Sequence, residues 1–264
     1  VTQPEIITNQ ELAAKYVELA LQEPEKVINT QAPASNLVDL PGGFIDKNEI
    51  VKTVEVRELN GEDEEIIAKA GGSGKALQTL LVRGTVAIGD RTPVKEDFDR
   101  LLAGDRDSII LGIRIATYGE TETFEVSCSS CSLKQDVVVN LQTDIPTVKL
   151  DDPIKDRNWD VELRSNVVNI SLPNGLTQKK LLDNADKTYA ELNTLLLAGC
   201  INSVDNRAAS PTTALQLGVL DREMLLDEIV SRNPGPRLLE VVKACEACGE
   251  DIALPLSLAN LFRF

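Results

Sequence analysis

The chain has 264 residues, of which 42% are hydrophobic and only 3% aromatic, so packed cores are expected to rest on Leu, Ile, Val and Ala. A formal net charge of −15 weighs against a nucleic-acid surface, which needs clustered Lys and Arg, and the absence of histidine removes histidine-based catalysis. Nowhere do about 18 apolar residues run together, so no membrane-spanning helix is expected. The polar start, Val1-Thr2-Gln3-Pro4-Glu5, does not read as a signal peptide.

From the amino terminus, Asn9 to Gln22 reads as an amphipathic helix with Leu12, Tyr16, Leu19 and Ala20 on one stripe. Thr30 to Asn36 is a small-residue linker, so residues 1–38 are read as a helical arm and linker. Such an arm either folds back on its own domain or docks on a neighbouring subunit.

Residues 39–150 are read as a first α+β unit. Val51 to Leu59 alternates as a strand with Val54 and Val56 inward. Asn60-Gly61 begins a helix whose acidic cluster, Glu62 to Glu65, suits the positive end of the helix dipole better than a cation site. Ala70 to Ala76 departs from a phosphate-binding loop, because Lys69 and Ala76 stand where Gly and Ser or Thr are required. It is read as a helix-to-helix turn. Thr92-Pro93 predicts a capping hydroxyl before a first-turn proline, in a run that Gly104 ends. Asp105 is expected to cap the next helix, which carries Ile109, Ile110, Ile113 and Ala116 at helical spacing. Two strand-like runs, Thr123 to Ser127 and Val137 to Asn140, then flank Cys128-Ser129-Ser130-Cys131.

Residues 151–264 repeat these landmarks as a second α+β unit. Strand signals at Val161 to Leu172 precede Asn174-Gly175, 114 residues after Asn60-Gly61. Thr194 to Gly199 matches Thr79 to Gly84, and Ser210-Pro211, in a run ending at Gly218, matches Thr92-Pro93 at a spacing of 118. Asp221 opens a helix with Met224, Leu225 and Ile229, as Asp105 does. Leu238 to Val242 and Ile252 to Leu256 flank Cys245-Glu246-Ala247-Cys248. The common order points to a duplication.

The two Cys-x-x-Cys hairpins carry the chemistry. A two-residue gap lets one turn present two thiolates to one ion, and two such turns complete a tetrahedral site for structural zinc. Cys128, Cys131, Cys245 and Cys248 are the expected ligands. The competing readings are a redox pair, which favours a helix N-terminus, and two disulfides. Four thiolates leave no open position for water, so the zinc is structural, and no other constellation suggests an enzyme. The metal is expected near a pseudo-twofold axis, clasping the two units. The remaining Cys200, after the apolar run Leu195 to Gly199, reads as a small buried hydrophobe.

Several stretches together carry a family resemblance: Leu40-Pro41-Gly42-Gly43, Val56 to Glu65, Leu101 to Asp107, Ile110 to Gly119, and Glu125-Val126-Ser127 before the first knuckle. Over about residues 38 to 143 the chain resembles baseplate proteins of tailed bacteriophages, a family that includes a baseplate hub subunit of T-even phages. The knuckle usual in such proteins continues with glycine, as Cys248-Gly249 does, whereas Cys131 is followed by Ser132. The resemblance implies a virion or assembly protein of the phage tail, made in the host cytoplasm, that binds other baseplate and tail proteins in a symmetric assembly. The alternatives are an assembly factor that leaves the particle and a zinc-ribbon nucleic-acid adaptor. The termini are candidate contact segments. The carboxy-terminal Leu254 to Phe264 either serves that role or packs beneath its own hairpin.

Overall fold

The structure is a computed structural model that describes residues 35–47, 49–254, 256–258 and 261–262. The expected amino-terminal helix, Asn9 to Gln22, lies outside the described residues. The architecture is mixed α+β, and among the described residues no helix is long and apolar enough to cross a membrane.

The first layer is an antiparallel sheet in the order β1-β2-β3, formed by β1 (Ser35–Asp46), β2 (Glu49–Arg57) and β3 (Thr85–Ile88). Val54 and Val56 are fully buried, as the strand alternation predicts. Helices α1 (Gly61–Ala68) and α2 (Ser73–Gly84) connect β2 to β3. The N-terminus of α1 is set by a capping box in which Asn60 and Asp63 satisfy each other's backbone N–H groups. The acidic cluster is only partly solvated: Asp63 is buried between Arg57 (2.7 Å) and Arg83 (2.5 Å). Of the Ala70 to Ala76 segment only Ala70 to Gly72 forms the turn between helices, with Gly71 and Gly72 at φ +63° and +95°, and Ser73 to Ala76 open α2.

Next come α3 (Lys95–Arg100) and α4 (Ala103–Tyr118). Here the expected boundaries fail. Pro93 precedes α3, whose cap is Val94 with Asp97 accepting its N–H, and Gly104 lies inside α4. Asp105 does not cap α4 but accepts from the Gly42 N–H at 2.6 Å. The helix instead begins against another part of the chain, where the Ala103 N–H donates to the Pro173 carbonyl.

A second antiparallel sheet, β7-β8-β9-β10, comprises β7 (Asn158–Glu162), β8 (Val167–Ser171), β9 (Ile201–Val204) and β10 (Arg207–Ala208). Helices α5 (Gly175–Leu182) and α6 (Tyr189–Cys200) join β8 to β9, and α7 (Thr213–Gln216) and α8 (Val219–Arg232) come after β10. Here too the proline boundary fails, since Pro211 lies before α7, and Gly218 is the N-cap of α8 instead of a stop.

The registers of the two sheets correspond residue by residue. In the first, Val54 pairs with Ile88 and Glu55 with Ala87, then the register shifts so that Val56 meets Thr85. In the second, Val168 pairs with Val204 and Asn169 with Ser203, then the same shift brings Ile170 to Ile201. A tight turn closes each strand, bridging Ile88 to Arg91 and Val204 to Arg207. The glycine landmarks Gly84 and Gly199 are one residue out of step, because the last residue of α2 is Gly84 and that of α6 is Cys200. Cys200 is buried, as expected, and burial pushes its thiol up to about 12.

Among the described residues two hydrophobic cores form. The smaller holds Val161, Val168, Ile170, Leu197, Cys200, Leu225 and Ile229. The larger holds Val54, Val56, Leu80, Leu81, Ile109, Ile113 and Val139, and also Val241, Cys245, Ile252, Leu254, Leu256, Leu261 and Phe262. The expected grouping of residues 151–264 therefore differs from the packing: the second cysteine hairpin joins the first core. The physical reason is a return of the chain, since β11 (Gly235–Pro236) pairs with β6 (Thr147–Val148) and so delivers the residues after Pro236 to the first unit. Among the described carboxy-terminal residues, Leu254, Leu256, Leu261 and Phe262 share the larger core with the hairpin residues Cys245 and Ile252, and Arg114 Nε of α4 donates to the Leu261 carbonyl at 2.6 Å.

Candidate metal centre

Strands β4 (Thr121–Ser127) and β5 (Lys134–Asn140) pair down to Ser127 with Lys134, leaving Cys128 and Cys131 in the turn. Strands β12 (Val242–Ala244) and β13 (Asp251–Ala253) pair down to Ala244 with Asp251, leaving Cys245 and Cys248 in theirs. The turns share one hydrogen-bond pattern. The Cys128 N–H donates to Leu133 and the Ser132 N–H to the Cys128 carbonyl, as the Cys245 N–H does to Glu250 and the Gly249 N–H to the Cys245 carbonyl.

The four sulfurs lie within 4.8 Å of one another. Cys128 Sγ is 3.6 Å from Cys248 Sγ, and Cys131 Sγ is 3.6 Å from Cys245 Sγ. Tetrahedral Zn–S bonds of about 2.3 Å place ligand sulfurs roughly 3.8 Å apart, so the spacing suits one ion. All four cysteines are free thiols, and a disulfide would need sulfurs at about 2.05 Å. Each turn contributes one buried sulfur residue, Cys128 or Cys245, and one exposed, Cys131 or Cys248.

The electrostatics favour a cation. Backbone N–H groups of Cys248 and Ala247 hold the Cys245 thiol down to about 7. The Glu250 N–H also favours a thiolate at Cys248, but Cys131, burial, Cys128 and Cys245 push that thiol up to about 12. A thiolate is favoured at Cys245 and disfavoured at Cys248 beside the other sulfurs, an imbalance that a divalent ion relieves. Beyond the ligands, Gln135 Oε1 accepts the Glu246 N–H across the two turns at 3.1 Å, and Lys243 pairs with Asp144 at 2.7 Å. Neither contact had a sequence signal, because neither Gln135 with Glu246 nor Asp144 with Lys243 belongs to a motif.

The site sits on a fold that can be compared with known families. A family model described as T4 bacteriophage base plate protein matches residues 46–210. The chain belongs to that family. Membership makes it a bacteriophage baseplate protein and a component of the viral tail, whose partners are other baseplate proteins. The match runs beyond the stretch on which the resemblance was read, through α6 and the second sheet. It includes Cys128 and Cys131 and ends before Cys245. No curated protein and no solved structure matches this baseplate chain.

Proposed function

We propose that this protein is a structural subunit of the baseplate hub region, made in the host cytoplasm and retained in the virion, acting through protein–protein contacts. The observation that carries this reading is the family match, and proteomics of purified particles tests it. Recovery of the chain in virions is expected; its absence would make it an assembly factor instead.

One structural zinc on Cys128, Cys131, Cys245 and Cys248 completes the reading, supported by sulfur spacing that suits a tetrahedral ion. When bound, zinc supplies bonds that tie the two hairpins together. Metal analysis of the purified protein should return about one zinc per chain.

A non-enzymatic role is supported by what the polar groups are already doing. The groove beside β1 and α4 has Asp39 and Lys149 as its charged groups, and they pair with each other at 3.1 Å. Asp105, which is buried, and Asp107, which is half-buried, are both raised to about 6 chiefly by desolvation, but they accept from the Gly42 backbone and from Gln178.

The chain after the arm-and-linker residues 1–38 comprises two repeated units. Three correspondences support the repeat besides the register. Arg106 donates to the Phe98 carbonyl and to Gln78, and Arg222 donates at the same sequence separations to the Ala214 carbonyl and Thr194. Asp63 pairs with Arg83, and at the matching positions a Cβ on Gly199 would fall 2.6 Å from Thr177 Oγ1. Both α1 and α5 are capped by an Asn side chain, Asn60 or Asn174. Thr194→Gln, which installs the first unit's residue in the second, should be tolerated within about 1 kcal/mol. A larger loss would speak against equivalent networks.

A further inference from the structure

Within one chain the two units meet head to tail. The start of α5 inserts at the junction between α3 and α4. The Ala103 N–H donates to Pro173 O at 2.9 Å, the Gly175 N–H to Leu101 O at 2.8 Å, Arg106 to Gly175 O at 3.0 Å, and Gln178 to Asp107 at 2.7 Å. Gly175 is needed there, because a Cβ would fall 2.1 Å from the Phe98 carbonyl oxygen.

Each unit has both halves of this contact, and one chain uses only two of the four. The second unit's socket is the junction between α7 and α8. Its Gly218 has φ −60° and ψ 151°, against −64° and 150° at Leu102. Preceding it, Leu217 matches Leu101 in being extended, at ψ 144° and 145°. The first unit's plug is the start of α1. Its Asn60 has φ −110° and ψ 177°, against −109° and −177° at Asn174. Gly61 stands where Gly175 does, although nothing lies within 4 Å of its Cβ position. The Leu59 and Leu217 carbonyls and the Gly61 and Val219 N–H groups have no hydrogen-bond partner among the described residues. Around the open socket Leu215, Val219 and Leu220 are 65%, 73% and 51% exposed.

We infer that the open socket of one chain receives the open plug of a second copy, continuing the internal contact between molecules. A head-to-tail contact of this kind is heterologous, so successive copies form a ring or an open helix. The contact is smaller than the internal one. Leu220 replaces Gly104, whose missing side chain admits the Pro234 carbonyl. One polar pair is also reversed, since Gln178 and Asp107 correspond to Glu64 and Glu223. Two facing carboxylates weaken the contact between copies without abolishing it.

The inference rests on the two-repeat reading and is tested on the full chain by sedimentation over a concentration series. Mass should rise in steps of one chain. Glu64→Gln, which restores the amide–carboxylate pair, should strengthen association about tenfold, and Gly61→Arg should weaken it at least about tenfold. Because Gly61 is exposed, thermal melting checks that its variant stays folded; Val219→Lys is the second variant that blocks the contact from the socket side. Wild-type and Glu64→Gln chains that both stay monomeric overturn the inference. So does association that Gly61→Arg and Val219→Lys leave unchanged. Either result leaves the repeat standing, since it rests on the internal registers.

Discussion

Ser132 and Gly249 hold the same backbone position in the two cysteine turns, with φ of +61° and +74°. Each donates its N–H to the carbonyl of the first cysteine in its turn, at 2.9 Å. An L-residue in this left-handed region costs roughly 1–2 kcal/mol, whereas glycine adopts it freely. Ser132→Gly should therefore stabilise the protein by about 0.5–1 kcal/mol once the greater freedom of glycine in the unfolded chain is subtracted. Gly249→Ala should destabilise it by about 1 kcal/mol. Urea unfolding of both variants measures the pair, and equal effects of the same sign would contradict this reading.

Cys245 lies in the larger core with Cys128, and the second core is built from residues between 159 and 229. Cys245→Ser should thus abolish stoichiometric zinc and speed amide exchange in both hairpins and around Val139, Leu254 and Leu256. Protection around Val168, Ile170 and Leu197 should change little. Exchange mapped by mass spectrometry decides this. Loosening of both cores to the same degree would restore the clasp between units that the sequence suggests.

That expectation shows where the sequence was legible and where it stopped. Cysteine spacing named four residues that converge, because a turn is local and its chemistry survives in two intervening residues. The alternation at Val54 and Val56 predicted burial for the same reason. The helix starts at Thr92 and Ser210 were misplaced because a hydroxyl followed by proline is only one way to begin a helix. Here Asp97 caps α3 from inside, and Pro173 closes the start of α4 from the other unit. The ownership of the second hairpin was not legible at all. It depends on β11 pairing with β6, a contact of only two residues on each strand.

Asp105 is fully buried, and its carboxyl is raised from the ordinary 3.8 to about 6, chiefly by burial, with the Gly42 N–H, Arg157 and the Gly43 N–H opposing. The folded state holds this proton more tightly than the unfolded chain does. Between about pH 4 and 6 the native form binds more protons, so the group's contribution to stability falls as pH rises through that window. Asp105→Asn should remove this part of the pH dependence and stabilise the protein at pH 7 by up to about 3 kcal/mol. Asp107, also raised to about 6, is one of the charges that raise Asp105, so the difference between the two pH profiles reports Asp105 together with its coupling to Asp107. Denaturant unfolding at several pH values gives that difference. A constant offset would mean that Asp105 does not titrate as the fold requires.

Arg106 and Arg222 provide the sharpest comparison between the units, since they make the same two bonds in different surroundings. Arg106 is 1% exposed and also donates to Gly175 across the contact between units, while Arg222 is half-buried and turns its spare donor to Ala190. Removing Arg106 strands the Phe98 carbonyl and the Gln78 amide oxygen away from water, and each such loss costs about 1–3 kcal/mol. Methionine refills part of the volume, so Arg106→Met is expected to cost about 3 kcal/mol in all. Arg222→Met leaves its acceptors near solvent, which can replace the lost donors, and about 1 kcal/mol is expected. Equilibrium unfolding compares the two. Equal losses would show that Arg106 carries no extra weight at the contact between the units.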